Sequence, residues 1–254
     1  NGGTFSACIQ SHIPELSMSF YVDIDILFTF GNENYTKKRF LYLGGNVKKT
    51  IPVGSHKMES MWHDNTDDLK LIPNIDILII GINVTTFLEI NNKTKENYYT
   101  FIKWMKEISL KHPNYNIIYK HHWNFQGDDI ESSILRDSNI QTIIRSKKNN
   151  SYAYLNKSKI IVSFGSTMIL EGLSDNKKCF YIDPNLESST FFKNIDNLKE
   201  IRIKNYKELE NLVHKTIGGE NNNKNYISDF ICLESKNVSK KICNFFKENS
   251  QHNL

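Results

Sequence analysis

The residues with most chemical potential stand in short loops that follow apolar runs. Ser163-Phe164-Gly165-Ser166-Thr167 leads into Met168-Ile169-Leu170-Glu171-Gly172-Leu173. A buried strand that ends in Gly, followed by two hydroxyls that open a helix, puts Ser166 and Thr167 beside unpaired backbone N–H groups. That end of a helix dipole suits a phosphate. The plainer reading makes Ser166 a helix cap. Glu171, one turn further in, adds a carboxylate able to accept from ribose hydroxyls. Lys120-His121-His122-Trp123 follows a second apolar run. A His there can donate to a phosphate oxygen, and Lys120 supplies charge. The pair is a poor metal site, because adjacent residues point to opposite sides and no third ligand is spaced nearby. Gly81-Ile82-Asn83-Val84-Thr85 follows a third run. Its glycine lets a backbone N–H approach a ligand closely, with Asn83 beside it, but the G-x-G-x-x-G of dinucleotide oxidoreductases is absent. Gln10-Ser11-His12-Ile13-Pro14 contains His12, the candidate general base of the amino-terminal part. His112, in Lys111-His112-Pro113, falls at the opposite end of its strand and is given no function.

These loops need a frame, and the sequence supplies a repeating one. Phe5–Gln10, Ile24–Phe30 and Thr50–Ser55 read as short strands, with a helix-like stretch at 36–43. Met58 to Pro73 turns polar and irregular and reads as a linker. The rhythm then restarts with Ile75–Ile80, a near-continuous apolar run of the kind buried on both faces. Glu96–Lys111 carries Tyr98, Phe101, Ile102, Met105 and Ile108 at helical period. Strands at 116–120, 140–145, 160–164 and 179–182 alternate with helices from Ser151 and Thr167. Such alternation predicts an α/β fold, a doubly wound parallel sheet with Ile75–Ile80 and Ile160–Phe164 inside it. The expected division is 1–57, part of a Rossmann-like domain; 58–74, linker; 75–219, a nucleotide-binding Rossmann-like domain; and 220–254, a polar segment with a terminal helix over 227–246.

Composition narrows the function. With 254 residues, 39% hydrophobic and 24% charged, the chain can bury a large core. No run approaches the roughly 18–20 apolar residues of a membrane span, and the first residues carry no signal-peptide pattern. They also lack a starting Met, so the piece reads as a fragment. The net charge is +4, but its bases are scattered Lys, and Arg39, Arg136, Arg145 and Arg202 are the arginines. Nucleic-acid binding asks for clusters and is not expected. Cys8, Cys179, Cys232 and Cys243 form no C-x-x-C pair; Cys8 and Cys179 read as small core hydrophobes and imply a reducing cytoplasm.

Taken together, these residues resemble the nucleotide-binding half of GT-B glycosyltransferases of bacterial surface polysaccharide synthesis. Gly165-Ser166-Thr167 with Glu171-Gly172-Leu173, then Lys177 and Tyr181-Ile182-Asp183-Pro184, is similar to the block that grips donor phosphates and ribose. His122 is similar to the His of the His-Pro motif in sialyl-, polysialyl- and Kdo-transferases and glycerophosphotransferases, with Trp123 where Pro would stand. Ser166-Thr167 resembles their serine motif, and Cys8 to His12 their Gln-His-Gly turn, without its Gly. The resemblance implies a GT-B fold with a cleft between two units and a CMP-, CDP- or UDP-linked sugar donor. It also implies a saccharide or lipid-linked acceptor and peripheral contact with the inner membrane. His122, Ser166 and Thr167 would stabilise the leaving phosphate, with Gly81, Asn83, Lys120, His121, Gly165 and Glu171 binding substrate and His12 as base. No cofactor or metal is invoked, since no Asp-x-Asp pair is suitably placed. Two alternatives stay open: a sugar-nucleotide 2-epimerase, which would want more carboxylates, and a non-catalytic nucleotide-sugar-binding subunit.

Overall fold

A computed structural model describes residues 6–9, 23–31, 45–63, 72–83, 92–122, 125, 127–143, 151–166, 168–175, 177–184, 201–219 and 236–250. The helix-like stretch at 36–43, His12, Val84, Thr85, Trp123 and Thr167 lie outside them. The chain divides into two compact units, each built on a parallel sheet.

The first unit holds β1 (Ala7–Ile9), β2 (Asp23–Thr29) and β3 (Asn46–Pro52), all parallel in the order β1-β2-β3. With them go α1 (His56–His63) and α7 (Val238–Ser250). One face of β2 buries Ile26 and Phe28 with Val53 and Val238. Phe28 meets the rings of Phe245 and Phe246 edge-on at 5.6 and 5.7 Å, the geometry ring quadrupoles favour. The buried carboxylate of Glu59 accepts from the amide of Ser239 at 2.9 Å, in the first turn of α7. A negative charge there offsets the orphan donors of the helix start.

Three expectations are corrected in this unit. Residues 58–63, expected to be irregular, belong to the helix His56–His63: Gly54 turns the chain at φ 103°, and the Ser55 carbonyl accepts from Met58 and Glu59. A polar helix with Met58 as its buried anchor gives little periodic signal. Cys8 is exposed, because β1 is the outer strand of its sheet, whereas Cys179 is buried in an interior strand. The described part of the terminal helix, Val238–Ser250, ends four residues beyond the expected 246, and residues 227–235 lie outside the described ones.

Among the described residues the second unit carries six strands: β4 (Ile75–Ile80), β5 (Ile117–Lys120), β6 (Gln141–Ile143), β7 (Ser158–Ser163), β8 (Lys178–Ile182) and β9 (Arg202–Ile203). All pair parallel in the order β6-β5-β4-β7-β8-β9. In chain order within the unit this is the 3-2-1-4-5-6 arrangement of dinucleotide-binding sheets. β4 and β7 are central, as their sequences predict. Its helices are α2 (Asn92–Lys111), α3 (Asp129–Arg136), α4 (Ser151–Lys157), α5 (Met168–Ser174), which belongs to this unit as far as Gly172, and α6 (Tyr206–Ile217).

One face of the sheet (Ile77, Ile79, Ile117, Ile160, Val162 and Phe180) packs on the apolar stripe of α2 and on Leu209 and Val213 of α6. Asp76, polar within its apolar run, sits at the amino end of β4. There it accepts from the amide of Asn116 and pairs with Lys159 at 2.8 Å. On the other face Gly172 lets α5 approach closely. A Cβ there would stand 2.5 Å from Ile161 Cδ1 and 2.9 Å from Cys179 Sγ.

Candidate functional site at the carboxyl edge of the six-stranded sheet

Parallel strands deliver their following loops to one edge. Three adjacent strands, β5, β4 and β7, deliver Lys120–His122, Gly81–Asn83 and Phe164–Ser166. Strand order reverses at β4 and β7, where an open α/β sheet forms its ligand crevice. The structure therefore places Gly81, Asn83, Lys120, His121, His122, Gly165 and Ser166 at the ends of neighbouring strands.

The loop after β7 is shaped by a residue that sequence reasoning passed over. The buried Ser163 hydroxyl donates to the Ile80 carbonyl at 3.2 Å, tying β7 to β4. The same oxygen accepts from the amides of Gly165 and Ser166 at 3.3 and 3.1 Å. It thus folds the turn back on the strand end. Ser166 Oγ accepts from the Met168 amide at 3.3 Å, and its carbonyl accepts from Ile169. Ser166 thus caps α5, and its O–H remains a donor. A Cβ on Gly165 would meet open space.

Glu171 is buried, and the Tyr152 hydroxyl of α4 lies 3.0 and 3.2 Å from its two oxygens. A bifurcated donor fixes the carboxylate's plane while leaving it acceptor capacity. Lys177 donates to the Asn156 carbonyl at 2.7 Å. Asp183 is fully buried and ion-paired with Arg202, whose Nε lies 2.7 Å away. Both Lys177 and Asp183 thereby tie elements of this unit together.

Gly81 serves its neighbour strand. Its amide donates to the Lys120 carbonyl at 2.9 Å, and an added Cβ would stand 2.4 Å from the Tyr119 hydroxyl. The amide expected to approach a ligand is thus engaged in the sheet, and the missing side chain makes room for Tyr119. Lys120 is buried at the last position of β5, and His122 is half-buried.

His121 is buried on a polar network. Its Nδ1 lies 3.2 Å from Oε1 of Glu131, a carboxylate with no exposed surface, without the alignment of a hydrogen bond. Glu131 Oε2 accepts from Tyr98 at 2.5 Å, and the Tyr98 and Tyr119 hydroxyls meet at 2.6 Å. Burial drives both phenols well above the ordinary tyrosine range. The edge of one ring meets the face of the other where Tyr119 and His121 pack at 4.9 Å. Gly127, at φ 85°, closes over the pair; a Cβ would stand 2.4 Å from Glu131 Oε1. Asp128 caps α3 by accepting from the Glu131 amide at 2.9 Å and is also bonded by Tyr99. Burial and that bond raise the Tyr99 phenol. Asp128-Asp129-Ile130-Glu131 is a D-x-x-E helix-start signature, the one sequence signal that could have placed Glu131.

A surface hollow along α6 and the end of α2, lined by His112, Asn205, Glu208, Glu210 and His214 among others, contains none of these residues. Among the described residues no group of three or more His, Cys, Asp or Glu could hold a metal ion. No described helix is long and apolar enough to cross a membrane.

No protein-family model matches the chain, and no curated protein matches it. Solved structures do. A putative UDP-N-acetylglucosamine 2-epimerase from Listeria monocytogenes is similar at TM-score 0.60 and 12% identity, over 90% of this chain and 60% of that one. The UDP-GlcNAc 2-epimerase from Neisseria meningitidis, bound to UDP-GlcNAc, is similar at TM-score 0.56 and 15% identity, over 87% and 62%. The wall teichoic acid polymerase TagF is similar at TM-score 0.56 and 12% identity, over 91% and 59%. The chain thus spans about 60% of the first of these structures. At such identities the likeness speaks for the fold: this chain has the parallel, Rossmann-like α/β architecture of GT-B-type proteins.

Proposed function

We propose that the carboxyl edge of the six-stranded sheet binds a nucleotide sugar, and that the chain is the nucleotide-binding part of a glycosyltransferase of surface polysaccharide synthesis. The observation that carries this reading is the gathering of the β4, β5 and β7 loops at the strand-order reversal. Ser166 and His122 supply donors for the diphosphate, and Glu171, fixed by Tyr152, supplies an acceptor for ribose hydroxyls. The leaving group is a nucleotide phosphate whose charge grows in the transition state. Fixed donors in a partly dry site stabilise that charge without reorganising. Thr167 and His12 keep their proposed roles, phosphate donor and acceptor base.

The chain would then act within a protein longer than the part seen here, on a saccharide or lipid-linked acceptor. Likeness to structures named as 2-epimerases and, in one case, bound to UDP-GlcNAc favours UDP as the nucleotide and keeps epimerisation as the second reading. Calorimetric titration with UDP, CDP and CMP tests the binding claim. Saturable binding of one of them, weakened by Ser166→Ala, supports it, and binding of none refutes it. Incubating UDP-N-acetylglucosamine without acceptor then separates the chemistries: the 2-epimer appears only if the second reading is right.

A further inference from the structure

We propose that Glu131 is a positioning residue for His121. It fixes a proton on Nδ1, so that Nε2 takes up a second proton from solvent when a phosphate oxygen of the nucleotide sugar arrives. This deepens the function proposed above and rests on it. Three observations carry it. The imidazole stands at the carboxyl end of β5, next to the strand-order reversal. Its Nδ1 and the Glu131 Oε1 are both buried, 3.2 Å apart, and neither has an aligned hydrogen-bond partner. The other Glu131 oxygen is already committed to Tyr98, which in turn meets Tyr119.

The chain Tyr119 to Tyr98 to Glu131 leaves Oε1 one natural use. A buried carboxylate oxygen facing an imidazole nitrogen keeps the proton on that nitrogen, and the tautomer of a histidine is set by the bond its other nitrogen makes. Glycine at 127 makes the arrangement possible, since any side chain would enter the space between Glu131 and His121. With Nδ1–H turned inward, Nε2 is the atom left for a ligand, and in the neutral ring it carries a lone pair. A phosphate oxygen cannot accept from a lone pair. Binding therefore draws one proton from solvent onto Nε2, no bond to carbon or phosphorus forms or breaks, and the ring becomes a cation between two anions.

Among the described residues the charged and titratable groups around it are few. α2 contributes Tyr98, Tyr99 and Lys95, the last 3.9 Å from Asp128. The end of β5 contributes Tyr119, Lys120 and His122, and the start of α3 contributes Asp128 and Glu131. Neither the Tyr98 nor the Tyr119 phenol competes for the proton, because burial pushes both well above the ordinary tyrosine range.

The test is calorimetric titration with UDP-N-acetylglucosamine, CDP-glycerol and CMP-sialic acid. None of these has a phosphate that titrates near neutrality. Each titration is repeated in buffers of different ionisation enthalpy, on the wild-type chain and on Glu131→Gln. The wild type should bind one of them with uptake of up to one proton. Glu131→Gln presents an amide N–H₂ to Nδ1 while its carbonyl keeps the Tyr98 bond. The uptake should vanish and affinity should fall about tenfold, the low end of what carboxylates behind metal-bound histidines contribute. Nitrogen NMR of the wild-type imidazoles provides a measurement that no substitution can spoil: His121 should carry its proton on Nδ1 before ligand is added. Buffer-independent binding by the wild type, equal uptake in Glu131→Gln, or a free His121 protonated on Nε2 alone overturns this inference and leaves the proposed function standing. Binding of none of the three ligands overturns both.

Discussion

Replacing Ser163 by Ala should loosen the six-stranded unit and blunt its ligand site together. The hydroxyl is fully buried and makes three hydrogen bonds: one to the Ile80 carbonyl at 3.2 Å, two from the amides of Gly165 and Ser166 at 3.3 and 3.1 Å. A typical net contribution is about 1 kcal/mol per bond, and these distances sit at or just beyond the long end of the usual range. About 2 kcal/mol is therefore the expected loss, with no cavity contribution, because the side chain shrinks by one oxygen. In a unit of this size that lowers the melting temperature by roughly 4–8 °C. The same change frees the Gly165-Ser166 turn from its strand, so nucleotide affinity should fall by about tenfold, or ~1.4 kcal/mol. Urea titration and calorimetry on the same variant read the two effects. A stability loss below about 0.5 kcal/mol would refute the claim that this hydroxyl organises the loop. Normal nucleotide affinity in a clearly destabilised variant would detach the loop from the site.

Gly81→Ala should cost roughly 1–3 kcal/mol of stability by overpacking, since the new methyl meets the buried Tyr119 hydroxyl at 2.4 Å; Gly165→Ala, which faces open space, serves as the control in the same denaturant titration. Tyr152→Phe should leave the fold within about 1 kcal/mol, the worth of a part-buried hydrogen bond, and weaken nucleotide binding by releasing Glu171. Arg202→Met should destabilise by about 3–5 kcal/mol, the usual result of leaving a buried carboxylate without its partner, read as a lower urea midpoint. In the first unit Asp25 bonds Lys48 and Ser6, which lower its pKa from 3.8 to about 2. A depressed carboxyl stabilises above its unfolded pKa and loses that contribution as pH falls through the folded one, so acid unfolding between about pH 4 and 2 should flatten in Asp25→Asn.

Much of the frame was legible because it rests on local pattern. Ile75–Ile80 is apolar at every position but Asp76, and α2 repeats its large side chains at helical period. Such runs have few alternatives. What escaped was short, polar or settled at a distance. α3 has eight residues, and β9 has two that matter only because Asp183 and Arg202 meet there. The candidate phosphate loop was visible from its Gly and hydroxyls. Its organiser, Ser163, reads as one more strand residue until its bond to Ile80, 83 positions away, is seen. Glu131 meets Tyr98 across 33 positions and His121 through a glycine-lined turn. No local spacing encodes that pair, and Cys8 looked buried only because neighbouring apolar residues do not reveal that its strand lies at the outside of a sheet.

Amide hydrogen exchange with and without saturating UDP most directly tests whether the carboxyl edge of this sheet is the nucleotide site. Protection should rise at Gly81–Asn83, Lys120–His122 and Gly165–Ser166, while the hollow along α6 by His112 and His214 should stay unchanged. Protection confined to that hollow, or none at the strand ends under conditions where UDP is bound, would contradict the account.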